Sequence, residues 1–216
     1  MPEPKRNPVF RIVASALAVL KRSGRPGAAS RPDTRVWTAQ LLKQLEWRRF
    51  EELCAAYLEL AGYSTRIVQS ATHVGVDLHL CKAGADSASI LAQCKAWNAY
   101  RVGIEPVRKL RAAMAAAKIG EGLLLTSGRF TQEAVAHAGK QNIQLVDGAA
   151  LLARFAALPP EQALELLVFA TQGDYMTPTC PACSLKMVER KSTGQGRKYW
   201  GCRNYPRCKH TFAADA

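Results

Sequence analysis

The sequence predicts an α/β fold in which a mixed sheet is flanked by helices, followed by a small cysteine-rich module. Two short apolar segments, 75–80 and 90–95, are separated by turn-forming residues, which indicates two buried strands of a hairpin. Farther along, apolar segments alternate with helical patterns, and this βα alternation is typical of right-handed crossovers between strands. Four cysteines between residues 180 and 208 have the spacing of a metal site.

Each element is predicted from a local pattern. Helical periodicity begins at Trp37, is broken near Leu45-Glu46, and resumes until Gly62 ends it, because apolar residues recur at i, i+3, i+4 and i+7. The run 122–126 is mainly apolar, as expected for a strand that is covered on both faces. The further predicted strands are 64–68 and 143–146, and the further predicted helices are 105–118, 131–137, 148–155 and 161–171.

The formal net charge of +13 and the pI near 9.7 indicate an anionic partner, and nucleic acid is the commonest one. Residues 1–49 contain 11 Lys and Arg against 3 Asp and Glu, and residues 180–216 contain 8 against 2. Residues 50–179 are close to neutral, with 11 against 12. The two ends therefore carry the positive charge, and we expect them to hold DNA.

Cysteine usage and the N-terminal segment indicate a cytoplasmic protein. Cys54, Cys81 and Cys94 lie in predicted core elements, where we expect small buried apolar residues rather than disulfide partners. The apolar segment 9–20 is too short to cross a bilayer, which needs roughly 20 apolar residues. The residues after it are a poor signal-peptide cleavage site. We predict a docking or amphipathic helix there, and regard membrane association as the less favoured interpretation.

Three polar residues stand out in the predicted hairpin. Residues two apart share a face of a strand, so Gln93 and Lys95 should point the same way while Cys94 points into the core. Pairing of the two strands could bring Asp77 beside them. A carboxylate, an amide oxygen and an ammonium group at the end of a rigid sheet could hold a hard divalent cation and position a water near a phosphate.

The spacing Asp77-x15-Gln93-x-Lys95 resembles the motif of the PD-(D/E)xK nuclease superfamily. More narrowly, residues 46–155 are similar to the Mrr-type restriction endonuclease domain, which often has Gln where other members have Glu or Asp. The further segments that carry this resemblance are Phe50-Glu51-Glu52-Leu53, Gly62-Tyr63, Gly75-Val76-Asp77, Val107-Arg108-Lys109-Leu110, Leu125-Thr126-Ser127-Gly128-Arg129-Phe130-Thr131 and Val146-Asp147-Gly148.

This resemblance implies a restriction-endonuclease-like fold and a Mg²⁺-dependent catalytic site. Asp77 and Gln93 would ligate magnesium, and Lys95 would orient or activate the attacking water. Glu51 matches the helical glutamate that reaches the metal in related nucleases, although a solvated helix-surface acid is the other interpretation of this residue. His73-Val74 departs from the family, which usually has Asp-Gly there, so a weakened or inactive nuclease core is an alternative hypothesis.

The cysteine module predicts a structural zinc site. Cys180-Pro-Ala-Cys183 and the pair Cys202 and Cys208 supply four thiolates, which satisfy tetrahedral zinc and leave no open coordination position. A module of this size buries little apolar surface, so zinc would supply much of its folding free energy. The segment resembles the four-cysteine zinc ribbon at the C-terminus of bacterial type I topoisomerases.

Basic and aromatic residues are interleaved in this module, a combination that suits single-stranded DNA because cations neutralise phosphates and flat rings stack on bases. The alternative for Tyr199 and Trp200 is that they form the small core of the ribbon. A second aromatic and basic stretch follows Lys95, where loop packing is an equally good interpretation. The predicted DNA-binding residues are Arg197, Lys198, Tyr199, Trp200, Arg203, Tyr205 and Arg207, together with Trp97 and Arg101.

These observations predict four segments and one leading function. The segments are an N-terminal basic segment with an apolar helix and linker (1–36), the Mrr-like nuclease domain (37–158), a helix and hinge (159–178), and the zinc ribbon (179–216). The function is a metal-dependent DNA endonuclease with a role in type IV-like restriction or in DNA repair. No small-molecule cofactor is expected, and a homodimer is plausible because double-strand cutting needs two sites. The alternative is a DNA-binding protein that does not cleave.

Overall fold

The computed structural model describes residues 36–68, 77–82, 89–96, 101–192 and 196–213, with the backbone alone at 66–68, 77 and 82. The predicted N-terminal helix, the His73-Val74 departure and Trp97 lie outside the described residues. The helices are α1 (Ala39–Gln44), α2 (Trp47–Leu60), α3 (Ile104–Ala117), α4 (Gln132–Gly139), α5 (Gly148–Ala156) and α6 (Pro160–Thr171). The strands are β1 (Tyr63–Val68), β2 (Asp77–Lys82), β3 (Ile90–Lys95), β4 (Arg101–Val102), β5 (Glu121–Thr126), β6 (Arg129–Phe130), β7 (Ile143–Val146), β8 (Val188–Lys191), β9 (Lys198–Gly201) and β10 (Thr211–Ala213).

The main sheet is mixed, as the sequence predicts. Its strand order is β1-β2-β3-β5-β7. The first three strands are antiparallel, whereas β3, β5 and β7 are parallel and are connected through helices. Strand β3 is therefore central, and its C-terminal end lies where the antiparallel and parallel halves of the sheet meet. The short strands β4 and β6 pair in parallel beyond this end.

Helices cover both faces of the main sheet. On one face, Leu123 and Leu125 pack with Phe50 and Phe155 from α2 and α5, together with residues of α1 and α6. On the other face, Leu124 packs against α3 and α4. The alternation along β5 explains why its sequence is apolar without interruption, since both of its faces are buried.

Close backbone approach requires glycine at two positions around the sheet. A Cβ atom on Gly122 would lie 2.6 Å from the Met114 sulfur and 2.9 Å from a side-chain carbon of Ile143. A Cβ atom on Gly148 would collide with the carbonyl oxygen of Ser127, which belongs to the turn between β5 and β6. Gly148 also donates its N–H to the Gly128 carbonyl at 2.9 Å, so the start of α5 is held against this turn.

The predicted break near Leu45-Glu46 is confirmed and has a specific cause. Leu45 ends α1 with extended backbone, and Glu46 caps α2 by accepting the N–H of Arg48 on its own carboxylate. The Glu46 N–H donates to the Tyr175 carbonyl at 2.9 Å. A distant part of the chain thus supplies the hydrogen-bond partner for the backbone N–H between the two helices.

The C-terminal module is a three-stranded antiparallel sheet with the order β10-β9-β8. Its small core consists of cysteine side chains and Met187, with Trp200 and Phe212 packed beside them. Within the described ranges of the chain, no helix is both long enough and apolar enough for a bilayer crossing.

Candidate active site and metal centre

Strands β2 and β3 bring two of the predicted site positions together. Asp77 is the first residue of β2, and its register partner on β3 is Gln93. Opposed positions in an antiparallel pair share a face of the sheet and are separated by about 4.5–5.5 Å between Cβ atoms. Residues 16 apart in the sequence therefore occupy neighbouring positions at the end of the hairpin.

Gln93 and Lys95 project from the same face of β3, as the sequence predicts. Both side chains are half-buried, whereas Cys94 between them is buried on the opposite face in the core formed with α2. Gln93 has the same strand parity as Leu91, which packs in the core that α3 and α4 form. The pair thus lies on the α3 and α4 side of the sheet, near its C-terminal end.

Thr126 holds the backbone of Lys95 in place. Lys95 and Thr126 are register partners on the parallel strands β3 and β5. The Thr126 hydroxyl, which is fully buried, donates to the Lys95 carbonyl at 2.9 Å and accepts the Gly128 N–H at 3.1 Å. The sequence analysis did not assign a role to Thr126. The sequence signal for such a role was the position of a polar residue at the end of an otherwise apolar strand.

Glu51 approaches the end of β3 from the other face of the sheet. It lies on α2 and is buried, with 7% of its surface exposed, so the interpretation as a solvated surface acid does not describe it. A hydrogen bond with Cys54 and burial raise the pKa of the Cys94 thiol well above its usual range, and the Glu51 charge adds to this while Lys95 opposes it. Glu51 and Lys95 therefore both lie near Cys94. Glu52, in contrast, is half-buried and forms ion pairs with Arg48 and Arg49 at 3.4 and 3.8 Å.

A pair of arginines lies on the short strands beyond the sheet. Arg101 on β4 and Arg129 on β6 are register partners, and both side chains are exposed while Val102 and Phe130 turn toward the core. Among the described residues, no carboxylate lies within ion-pair distance of either arginine. Arg101 was predicted from the sequence, but Arg129 was not, because its pairing with Arg101 depends on the crossover through α3.

The four cysteines of the C-terminal module form one cluster. The Sγ atoms of Cys180, Cys183, Cys202 and Cys208 all lie within 4.8 Å of one another. The Cys180 and Cys208 sulfurs are 3.7 Å apart, which agrees with the edge of about 3.8 Å of a tetrahedron with Zn–S bonds of about 2.3 Å. The four sulfurs fit a closed site with tetrahedral coordination, as Zn²⁺ prefers.

Backbone and side-chain N–H groups donate hydrogen bonds to sulfurs of the cluster. Asn204 donates its N–H to the Cys202 sulfur at 3.3 Å and its side-chain amide to the Cys183 sulfur at 3.7 Å. The His210 backbone N–H, acting against burial, lowers the pKa of Cys208 to about 6. Burial raises the pKa of Cys180 and of Cys202, and the pKa of Cys183 is also raised, because the Asn204 amide, which lowers it, is outweighed by hydrogen bonding with Cys208 and burial together. Thiolates are the form that binds a metal, so these donors suit a metal-binding role.

The ribbon separates its predicted aromatic residues onto two faces. Trp200 packs on the cysteine cluster, as the alternative interpretation holds, whereas Tyr199 lines a cavity of about 240 Å³ that also reaches Cys202 and Cys208. Arg190 also lines this cavity, and its guanidinium lies 5.5 Å from the centre of the exposed Tyr205 ring. No carboxylate lines the cavity in the described part of the chain. The predicted cations Arg197, Lys198, Arg203 and Arg207 are exposed, and Lys198 forms an ion pair with Glu189 at 3.0 Å.

The comparisons with known proteins agree with this architecture. Residues 42–155 match the family model described as "Restriction endonuclease", and residues 177–215 match the "Topoisomerase DNA binding C4 zinc finger". Because the first match covers more than half of the chain, the protein belongs to this restriction endonuclease family. The second match makes the four-cysteine module a zinc ribbon of the topoisomerase type, as the sequence resemblance predicts.

Two restriction endonucleases are among the solved structures that are similar to this chain. "DNA modification-dependent restriction endonuclease AspBHI" is 16% identical with a TM-score of 0.44, and the match covers 69% of this chain and 44% of that one. "MspJI Restriction Endonuclease in Complex with 27-mer Oligonucleotide" is 13% identical with a TM-score of 0.39, over 74% of this chain and 42% of that one. The chain thus spans less than half the length of either protein. No match was found among curated proteins.

Proposed function

We propose that the protein is a Mg²⁺-dependent DNA endonuclease whose catalytic residues are Asp77, Gln93, Lys95 and Glu51. The observation that carries this proposal is the register of Asp77 against Gln93, with Lys95 two residues farther along β3, in a chain of the restriction endonuclease family. Oxygen ligands that hold a divalent ion, beside a lysine, can support metal-assisted hydrolysis of a phosphodiester.

Each proposed residue has a separate role. Asp77 and the Gln93 side-chain oxygen would hold the divalent ion, which when bound polarises the phosphate and promotes ionisation of the attacking water. Lys95 would orient this water and stabilise negative charge that develops on the phosphate oxygens. Glu51 lies on α2 and is buried beside Cys94, on the opposite face of the sheet. Its negative charge would strengthen the electrostatic attraction of the site for the divalent ion.

Gln93 makes this site different from one with two carboxylates. An amide oxygen can coordinate a hard cation but contributes no net charge. We therefore expect the ion to bind less tightly than in a site with an acidic residue at this position. A Gln93→Glu variant should lower the Mg²⁺ concentration needed for half-maximal cleavage.

The DNA would be held from two sides. Arg101 and Arg129 would contact backbone phosphates beside the catalytic end of the sheet. The ribbon would hold a single-stranded segment, with Tyr199 and Tyr205 stacking on bases and Arg190 beside the phosphates, because these residues line one cavity that lacks carboxylates among its described residues. Zn²⁺ at the four cysteines would be the structural ion of this module.

The biological role that fits these properties is type IV-like restriction or DNA repair. Both roles require a nuclease that acts on selected DNA rather than on all duplexes. A homodimer would supply the two active sites that a double-strand cut needs.

The test is incubation of the purified protein with supercoiled, methylated and branched DNA in Mg²⁺, in Mn²⁺ and in EDTA. Wild type should nick or cut at least one substrate in Mg²⁺, and Asp77→Ala and Lys95→Ala should abolish this. Lys140→Ala, an exposed lysine after α4, is the matched control and should cleave normally. Cleavage that survives EDTA or Lys95→Ala would contradict the proposed site. DNA binding without nicking in either ion would favour the alternative of a non-cleaving DNA-binding protein.

A further inference from the structure

The zinc ribbon is joined to the nuclease sheet through a buried polar contact. Glu46, at the start of α2, is 8% exposed, and Thr179, which immediately precedes the ribbon ligand Cys180, is 4% exposed. The Glu46 carboxylate accepts the Thr179 backbone N–H at 3.2 Å and the Thr179 hydroxyl at 2.9 Å. It also accepts the Lys186 ammonium at 3.1 Å.

Further hydrogen bonds hold the same joint. The Trp47 indole N–H donates to the Thr179 carbonyl at 2.7 Å, and Lys186 also donates to the Thr177 carbonyl at 2.8 Å. The N–H, the hydroxyl and the carbonyl of Thr179 are thus all hydrogen-bonded to Glu46 or Trp47, the cap and the first residue of α2. Buried polar contacts of this kind stabilise one arrangement, because breaking any of them leaves a buried group unpaired.

The segment between α6 and the ribbon is held as well. Arg49 on α2 donates to the Phe169 and Gln172 carbonyls at 2.7 and 3.1 Å. Asp174 accepts the backbone N–H groups of Met176 and Thr177 at 3.3 and 2.9 Å. The sequence suggests a hinge in this region, but these contacts give it a defined path along α2.

We propose that Glu46, Trp47 and Thr179 form a clamp that fixes the ribbon at a constant position relative to the catalytic residues, so that the enzyme cuts at a constant distance from the single-stranded segment held by the ribbon. The helix that anchors the ribbon also carries Glu51, only about 7.5 Å along its axis from Glu46 at 1.5 Å per residue. The clamp residues are positioning residues, because they contact neither the metal nor the DNA.

This inference rests on the proposed nuclease function and names its substrate class as DNA in which a single-stranded segment adjoins a duplex. A flexibly tethered ribbon would raise the local DNA concentration but would allow a range of cutting positions. A clamped ribbon fixes one distance between the single-stranded segment and the position of the cut. The distribution of cut positions therefore distinguishes positioning from mere attachment.

The first experiment maps cut positions on an end-labelled duplex with a single-stranded extension. Wild type should cut within a narrow window from the junction. Glu46→Ala, and independently Trp47→Phe, which removes the indole N–H donor but keeps an aromatic ring, should broaden this window while the affinity for a single-stranded oligonucleotide and the zinc content stay unchanged. Lys140→Ala, which changes an exposed lysine after α4 and outside the clamp, is the control and should keep the narrow window. Equal windows in wild type and both clamp variants would overturn the proposal.

The second experiment does not depend on cleavage, so it separates failure of the clamp from failure of the nuclease assignment. Amide hydrogen exchange, followed by NMR, should show the Glu46 and Thr179 amides protected in the zinc-loaded wild type. Glu46→Ala should speed exchange at Thr179 by at least about tenfold, with zinc still bound. Trp47→Phe should raise exchange there to a smaller extent. Fast exchange of both amides in the wild type would refute the clamp whether or not the protein cleaves DNA.

Discussion

The Thr126 hydroxyl donates a hydrogen bond of 2.9 Å to the backbone carbonyl of Lys95 across two parallel strands. The same hydroxyl accepts the N–H of Gly128 at 3.1 Å, so one buried side chain ties the proposed catalytic strand to the turn after β5. Lys95 is the last residue of β3, so this hydrogen bond fixes the backbone at the end of the proposed catalytic strand.

Thr126→Val should reduce cleavage without unfolding the protein. Valine has the shape of threonine but cannot bond to the Lys95 carbonyl or the Gly128 N–H, and leaving such buried groups unpaired costs about 1–3 kcal/mol. We expect a lower kcat with little change in DNA affinity, measured by single-turnover cleavage and gel shift. Thr126→Ser keeps the hydroxyl and should restore most of the rate. Equal rates for the valine and wild-type proteins would show that Thr126 does not position Lys95.

Much of the fold follows from the sequence, whereas the arrangement of the site follows only in part. The break at Glu46 and the strands β5 and β7 were predicted from local patterns, and the structure confirms them. Parity along β3 also correctly separated Gln93 and Lys95 from Cys94. These features depend on periods of 2 and 3.6 residues, which the sequence displays directly.

Contacts between distant segments were not predictable in the same way. The register of Arg101 with Arg129 depends on the exact path through α3, and the contact of Glu46 with Thr179 joins residues 133 apart. Arginine and glutamate are common on protein surfaces, so neither residue type indicates a partner that is distant in the sequence. Tertiary packing decides both contacts, and a single sequence carries no local signal for them.

Arg129→Ala should weaken DNA binding and lower its salt dependence. Each phosphate contact contributes about −0.9 to the slope of log K against log salt concentration, so loss of one contact should reduce the magnitude of the slope by roughly 1. Fluorescence anisotropy between low and moderate salt measures this slope. Arg108→Ala is the matched control, because Arg108 is already paired with Glu105 at 2.7 Å and should change the slope little. An unaltered slope for Arg129→Ala would exclude a phosphate contact there.

Glu51→Gln should raise the Mg²⁺ concentration needed for half-maximal cleavage. The substitution keeps the size of this buried side chain but removes a negative charge that lies beside Cys94, on the face of β3 opposite to Gln93 and Lys95. Mg²⁺ titration of the cleavage rate checks this, and we expect a shift of about tenfold, equivalent to roughly 1.4 kcal/mol. Glu52→Gln removes a charge one residue away, which is already paired with Arg48 and Arg49, and should leave the titration unchanged. If both variants titrate like wild type, Glu51 does not contribute to metal binding.

Gly148→Ala should destabilise the nuclease sheet. A Cβ atom at this position would meet the Ser127 carbonyl, which is backbone and cannot move without shifting the turn that Thr126 holds. We expect a loss of about 1–3 kcal/mol in the free energy of unfolding, measured by urea titration. Gly139→Ala, where a Cβ atom would meet no neighbour within 4 Å, is the control and should not destabilise the protein. Equal midpoints for the two variants would show that the turn can adjust.

Cys202→Ser should remove zinc from the protein while leaving the nuclease sheet folded. Cys202 supplies one of four sulfurs that lie within 4.8 Å of one another, and three remaining thiolates bind zinc much less tightly than a closed set of four. Metal analysis should find about one zinc per wild-type chain and little in the variant. Because the ribbon core is built from these cysteines with Met187, the β8–β10 sheet should lose its amide protection together with the metal.

The main sheet has its own two apolar cores and should keep its protection. Cys81→Ala, which alters a buried cysteine outside the cluster, should retain full zinc content. Normal zinc content in Cys202→Ser would contradict the four-cysteine assignment.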